Sequence, residues 1–238
     1  MDCIHYKVRE EGRILSQAAY VVLGVTTEGY KEILSITVGA NETSKFWLGM
    51  LNDLKNRGLK DVLFFCVDGL AGFKEAISAV YPQSQIQRCV IHMLRNSFKY
   101  VNYSDLKKFS SDFKAVYNAP NETAAYSELE ILKEKWGRRY PYAIRNWENN
   151  WEDVSSFFQF SEEIRKIMYT TNILEGLNRQ YRKVTKTKSV FPSDQSLEKM
   201  LYLASENITK KWTQRYRGWD QVLNQLIVLY GERLSQYL

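Results

Sequence analysis

Val62-Leu63-Phe64-Phe65-Cys66-Val67-Asp68-Gly69 decides the fold. Six apolar residues without alternation predict a strand covered on both faces of a sheet, and Asp68-Gly69 stops it abruptly. A carboxylate therefore stands at the carboxyl end of a central strand, which is where open α/β sheets bind their ligands. Asp-Gly after a strand is also simply a turn, and the residues alone leave both readings open.

Downstream of this stretch, Leu70, Phe73, Ile77 and Val80 recur at helical spacing until Pro82, and Gln85–Val90 reads as a short fifth strand. Upstream, Thr43–Arg57 is a helix with Thr43 or Ser44 as N-cap, an apolar stripe of Phe46, Trp47, Met50, Leu51 and Leu54, and Gly58 as its stop. Before it, Asp2, Ile4, Tyr6 and Val8 share one face of a period-2 pattern, with Cys3, His5, Lys7 and Arg9 on the other. Turns at Gly12 and Glu28-Gly29 flank β-rich stretches at Ile14–Thr26 and Tyr30–Val38, which predicts a three-strand antiparallel meander. The order is βββαβαβ in an α/β fold.

From about His92 to Phe160 the pattern turns helical, with anchors at Phe109, Phe113, Tyr117, Tyr126, Trp136, Trp147 and Trp151. We assign 93–163 as an all-α insertion and read its tryptophans as core rather than as a base-stacking platform. Further helices are expected from near Thr171, over Leu197–Trp212 and over Trp219–Tyr230.

Composition narrows the class. The chain has 238 residues, 45% of them hydrophobic and 25% charged, which fits a folded protein and excludes disorder or a fibrous repeat. Its clearest apolar runs, Ala18–Leu23 and Val62–Val67, are far shorter than the ~20 residues a membrane-spanning helix needs. The first residues carry no secretory pattern, and three widely spaced cysteines fit a reduced cytoplasm. The net charge of +6 is concentrated: Arg165, Lys166, Arg179, Arg182, Lys183, Lys186 and Lys188 share a short segment with a single acid, Glu175. Outside Ile164–Lys188 the chain is neutral, with 26 basic and 26 acidic residues. Such a stripe attracts a polyanion such as nucleic acid, or is a solvated basic face.

Three carboxylates stand out. Asp68 ends the apolar strand; Asp2 lies on the apolar face of the first strand, where an unpaired carboxylate is expensive to bury, unless it is solvated at the terminus. Glu175 begins a helix that Thr170 or Thr171 could cap, with Asn178, Arg179 and Arg182 at i+3, i+4 and i+7. A helix-start glutamate favoured by the macrodipole and paired with Arg179 is the plainer reading, but a glutamate among phosphate-binding cations makes most sense with a metal ion and a phosphodiester between them. Cys89-Val90-Ile91-His92 has a ligand-like spacing, and Cys3-Ile4-His5 could add a second pair, but without two CxxC units structural zinc is disfavoured. Cys89 then packs as a small hydrophobe, with His92 a hydrogen-bond or phosphate partner near the acids. No Gly-rich phosphate loop, nucleophile elbow or dinucleotide fingerprint occurs.

Cys66-Val67-Asp68-Gly69-Leu70, Cys89-Val90-Ile91-His92 and Asn172-Ile173-Leu174-Glu175-Gly176-Leu177-Asn178-Arg179, with the opening Asp2-Cys3-Ile4-His5-Tyr6-Lys7-Val8-Arg9, resemble the Mutator-like transposases of bacterial insertion sequences over essentially the whole chain. The resemblance implies an RNase H-like mixed sheet with an α-helical insertion before the catalytic-glutamate helix. It implies a catalytic triad of Asp2, Asp68 and Glu175 holding two Mg²⁺ or Mn²⁺ ions. Cys89 and His92 match the family's Cys-x-x-His signature, and Arg182 falls where related enzymes place a basic residue on the glutamate helix.

The implied activity is metal-assisted cleavage of element ends and strand transfer to target DNA by a homo-oligomer on double-stranded DNA, in the bacterial cytoplasm at the nucleoid. Arg179, Arg182, Lys183, Lys186 and Lys188 would contact backbone phosphates. Relatives carry an N-terminal helical region that recognises terminal inverted repeats, whereas here Met1 immediately precedes Asp2. The expectation is that this chain alone lacks end recognition. A catalytically inactive DNA-binding remnant and a structure-selective nuclease are the competing readings.

Overall fold

Alternation along the first forty residues is realised as an antiparallel meander of β1 (Asp2–Glu10), β2 (Arg13–Val25) and β3 (Lys31–Gly39), in the order β1-β2-β3. This is a computed structural model, and it describes residues 2–39, 43–69, 72–169 and 172–238, excluding the side chains of Asp2, Tyr169, Asn172 and Ile173. Ile4 and Val8 are buried while His5 and Lys7 are exposed, as the period-2 pattern requires. Glu11 and Gly12 both take positive φ, the backbone of a two-residue hairpin turn that matches strand twist. Gly29 is constrained twice, by a φ of 89° and by the Trp219 ring, which a Cβ there would meet at 2.4 Å.

Helix α1 (Ser44–Asn56) starts where expected: the Thr43 hydroxyl accepts the Phe46 N–H at 3.2 Å. Its Trp47 packs between Tyr20 of the sheet and Phe73, at centroid distances of 4.9 and 4.8 Å. Phe73 opens α2 (Phe73–Val80), which lies against α1. The helical position expected of Leu70 lies outside the described residues.

The apolar stretch that decides the fold forms a shorter strand than its sequence predicts. β4 covers Phe64–Val67 and pairs with β5 (Gln85–Arg88) in a two-stranded sheet. Val62 cannot continue the ladder because its carbonyl is committed to side chains, accepting from Ser84 Oγ at 2.5 Å and from Arg233 at 3.0 Å. Residues 62–66 are half-buried and only Val67 is buried, since a two-stranded sheet covers less of each strand than a central position would. Among the described residues the five strands thus form two sheets rather than the single mixed sheet expected. The outer edge of β1 is partly occupied by Phe191, which donates its N–H to Lys7 O and accepts the Arg9 N–H, both at 2.8 Å.

The chain divides into two units. One comprises Cys66–Gly69 and Gln85–Tyr169, so the division falls within β4. It contains α3 (Val90–Phe98), α4 (Tyr103–Tyr117), α5 (Glu122–Trp136), α6 (Pro141–Glu148), α7 (Trp151–Ser155), a 3-10 turn at Ser156–Gln159 and α8 (Glu162–Tyr169). Phe109, Phe113, Leu129 and Trp147 are buried in its core. The Trp147 indole N–H donates to Ser97 Oγ and that of Trp136 to Asp112, both at 2.9 Å, so each ring is buried with its polar atom satisfied. Trp151 instead sits at the rim with its N–H on Glu122.

The other unit holds the meander, α1, α2 and four closing helices, α9 (Asn172–Thr185), α10 (Asp194–Thr209), α11 (Trp219–Tyr230) and α12 (Glu232–Ser235). Ile4, Val8, Ala19 and Val21 of the sheet form one apolar core with Leu177 and Tyr181 of α9 and Leu197, Leu201 and Ala204 of α10. Arg233 of α12 closes this unit. Its guanidinium bonds both Asp61 carboxylate oxygens, at 2.8 and 2.7 Å, and the carbonyls of Val62 and Gln83.

These bonds hold the Asp61 carboxyl below its ordinary range. A depressed folded value contributes stability at neutral pH that is lost as pH falls through it from the unfolded value of about 4. Asp61→Asn is expected to cost about 2 kcal/mol at pH 7 and to flatten the acid limb of stability below about pH 5. Urea unfolding from pH 3 to 7 measures both; an acid limb as steep as the parent's would show that Asp61 contributes nothing to it.

Candidate active site and nucleic-acid interface

Asp68 follows β4 directly and is half-exposed, with its Oδ1 accepting the Gly69 N–H at 2.9 Å. The turn and the placement at a strand's carboxyl end therefore coexist. Next to it, the Cys89 N–H donates to the carbonyl of Val67 at 2.8 Å. This bond brings the β5–α3 junction to the end of β4. Cys89 is the buried N-cap of α3, and His92, half-buried, stands one turn further along. Burial pushes the Cys66 thiol, two residues before Asp68, up to about 12, so it stays protonated at neutral pH.

Arg88 carries no signal in the sequence, yet its guanidinium lies against Gly69 in this turn. A Cβ at Gly69 would lie 2.4 Å from its guanidinium, and the same group donates to Asn150 Oδ1. Glycine at 69 is what lets the arginine lie against the backbone beside Asp68. A lone arginine ahead of a cysteine carries no signal in one sequence; only the folded β5 shows its neighbours.

In the other unit, α9 carries Glu175 in its first turn. Leu177, Asn178, Tyr181 and Thr185 are buried, whereas Arg179, Arg182, Lys183, Lys186 and Lys188 are exposed. Asn178, expected to share the face of Glu175, is buried, because it also stands at i−3 from Tyr181 and i−7 from Thr185 on the core stripe. Glu175, half-buried, is followed at i+4, i+7 and i+11 by Arg179, Arg182 and Lys186, which makes one exposed basic edge. Tyr181 donates to or accepts from Ser205 Oγ at 2.6 Å, fixing α9 to α10. Arg182 and Thr185 stand beside the Tyr6 phenol, which burial raises above its ordinary value. Lys188 lies over the Phe191 ring at 5.8 Å.

The first two cations of the linear stripe lie on α8, in the helical unit. Arg165 donates to the carbonyl of Ala119 at 2.9 Å, beyond the C-terminus of α4, and Lys166 pairs with Glu162 at 2.8 Å on α8. Asp2 begins β1 opposite Val21, and its side chain lies outside the described residues, as do the expected caps Thr170 and Thr171. Carboxylate oxygens are the donors that Mg²⁺ and Mn²⁺ take, so the three acids fit the implied ions in chemistry. Among the described residues, no group of three or more His, Cys, Asp or Glu side chains stands together to hold an ion. No helix among them is long and apolar enough to cross a membrane.

Comparison with known proteins gives the class first. Over 98% of its length the chain is 41% identical to the transposase for insertion sequence element ISRM3 of Rhizobium meliloti (strain 1021), covering 58% of that relative. A probable insertion-sequence transposase of Corynebacterium diphtheriae is 35% identical over 100% of this chain and 75% of its own length. The IS256 transposase of transposon Tn4001 from Staphylococcus aureus is 24% identical over 92% of this chain and 57% of its own length. The class is thus that of insertion-sequence transposases. Residues 1–215 match the family described as transposase, Mutator family, and the chain belongs to it.

The two faces of α9 are expected to separate cleanly. Leu177→Ala should destabilise the protein by about 2–5 kcal/mol, and Lys183→Ala with Lys186→Ala by less than about 1 kcal/mol. Thermal and urea unfolding measure this; a large loss from the lysine pair would place those side chains in the packing rather than on a free edge.

Proposed function

We propose that this chain carries the cutting and joining chemistry of an insertion-sequence transposase, on an RNase H-like arrangement of its strands. Asp2, Asp68 and Glu175 would hold two Mg²⁺ or Mn²⁺ ions. The substrate is double-stranded DNA, first the element end and then the target, handled by a homo-oligomer at the bacterial nucleoid.

The observation that carries this reading is α9, a helix that buries one face in the sheet core while presenting Glu175 at the head of an exposed basic edge. A second observation supports it. Ile4 and Val8, two and six residues after Asp2, share a core with Leu177 and Tyr181, two and six after Glu175, so the strand and helix bearing two of the acids pack together within one unit.

When bound, the ions would polarise the phosphoryl oxygen and lower the pKa of the attacking hydroxyl or water. The chain's own residues do the rest. Carboxylate oxygens of Asp2, Asp68 and Glu175 supply hard, negatively charged donors. Arg179, Arg182, Lys183, Lys186 and Lys188 neutralise backbone phosphates and set the register of the duplex without reading bases. Arg88, held by Asn150 against Gly69, places a fixed positive charge beside Asp68. Cys89 and His92 shape the wall of the same turn. Cleavage frees a 3′-hydroxyl, whose oxygen then attacks a target phosphodiester and displaces the target's own 3′ oxygen.

Asp68→Asn and Glu175→Gln should each abolish Mg²⁺- or Mn²⁺-dependent cleavage and joining of labelled duplex DNA while leaving DNA binding intact. Binding without either reaction in the parent chain would favour a DNA-binding remnant, and cleavage without joining a nuclease. Lys183→Ala and Lys186→Ala should each flatten the slope of log affinity against log salt by about one unit. Unchanged slopes would remove α9 from the interface.

A further inference from the structure

Aromatic residues in the helical unit fall into two groups. Trp136, Trp147, Phe109 and Phe113 are buried, but three tyrosines at the helix ends are not: Tyr100 is 53% exposed, Tyr142 65% and Tyr103 92%. Tyr100 follows the C-cap of α3 and Tyr142 lies in the first turn of α6, and their rings meet with centroids 5.9 Å apart at 33°. Tyr103, the first residue of α4, follows Tyr100 by three positions.

The platform beneath them is firmly built. Val101 between them is buried, and its N–H and that of Tyr100 donate to Phe98 and Ser97 carbonyls at 3.1 Å each. On the other side Tyr140 is buried, with its hydroxyl on Asp105, which also pairs with Arg139 at 2.8 Å. The surrounding charge is positive. Arg145 lies 6.0 Å from the Tyr142 ring centroid and Lys99 is exposed, while Arg139 and Asp105 pair with each other and cancel.

Single exposed tyrosines are ordinary; two in ring contact between separate segments, with a basic side chain at one ring, are not explained by packing. We infer that Tyr100 and Tyr142, with Tyr103 three residues on from Tyr100, form a stacking platform for unpaired bases of a DNA strand, with Lys99 and Arg145 on its phosphates. Charge complementarity selects a polyanion, and exposed ring faces select bases that are not already stacked in a duplex. The inference rests on the reading that this chain acts on DNA and adds where an opened strand is held.

The test compares fluorescein-labelled single-stranded and duplex oligonucleotides by anisotropy, on the full chain, for the parent and for Tyr100→Ala/Tyr142→Ala. Single-strand affinity should fall at least about tenfold, with duplex affinity changing less than about twofold. Tyr100→Phe/Tyr142→Phe should bind like the parent, because stacking uses the ring and not the hydroxyl. Circular dichroism and the thermal midpoint should be unchanged in both, since these side chains are exposed.

Equal losses on both oligonucleotides, or none on the single strand, would overturn the platform while leaving the transposase reading intact. A change in oligomeric state without a change in DNA affinity would make the surface a protein interface and also overturn it. If the parent bound neither oligonucleotide, both the platform and the reading it rests on would fail, and duplex binding alone would overturn only the platform.

Discussion

The packing of α9 onto the three-stranded sheet is the constraint on which the rest of its unit depends. A helix has room for one buried stripe, and Leu177, Tyr181 and Thr185 take it. Everything at the complementary angles is forced outward, which is why Arg179 and Arg182 line up behind Glu175 instead of scattering around the helix, with Lys186 just past its end. Rotational freedom is removed at two points, by Tyr181 on Ser205 and by the packing of Leu177 and Tyr181 among Ile4 and Val8 of β1. Fixing the core stripe thus fixes the direction of the charge.

The outer edge of β1 shows a second constraint. A strand edge must be paired, covered or kept short if it is not to recruit another chain. Here the segment after α9 returns so that Phe191 bridges β1 at Val8, and the same segment carries Lys186 and Lys188. Edge protection and presentation of basic side chains are therefore tasks of one stretch of backbone. On the other side of the sheet, Glu198 of α10 accepts the Val38 N–H and Arg57 of α1 donates to the Leu34 carbonyl, so charged side chains take up edge groups of β3 as well.

Much of this was legible in the sequence where local rules act alone. The meander follows from alternation and from Glu11-Gly12 and Gly29, and α1 from Thr43 and its apolar stripe. Legibility failed where a distant partner decides. The apolar run from Val62 loses its first residues to Arg233 and Ser84, which lie far along the chain, so β4 is shorter and less buried than its hydrophobicity implies. The same holds for charge: Arg165 and Lys166 belong to the basic segment by sequence, but one is spent on the carbonyl of Ala119 and the other on Glu162. Asn178 was assigned to the face of Glu175 by spacing, although the same spacing also permits the core. Arg88 had no local signature at all.

The aromatics of the helical unit follow a rule that composition cannot express. Trp136 and Trp147 are mid-stripe residues whose indole N–H groups find Asp112 and Ser97, so burial leaves no polar atom unsatisfied. Tyr140, at a helix start, is also buried because Asp105 is within reach of its hydroxyl. Two residues further on, Tyr142 points the other way, since α6 buries Ala143, Ile144 and Trp147. The face of α6 opposite the core is where an aromatic ring is least needed for folding. Tyr142 occupies it in contact with Tyr100 from beyond the end of α3 and with Arg145 one turn later. Folding requires none of these three side chains to be where they are, and that independence is what separates a surface shaped for a partner from one left over by the core.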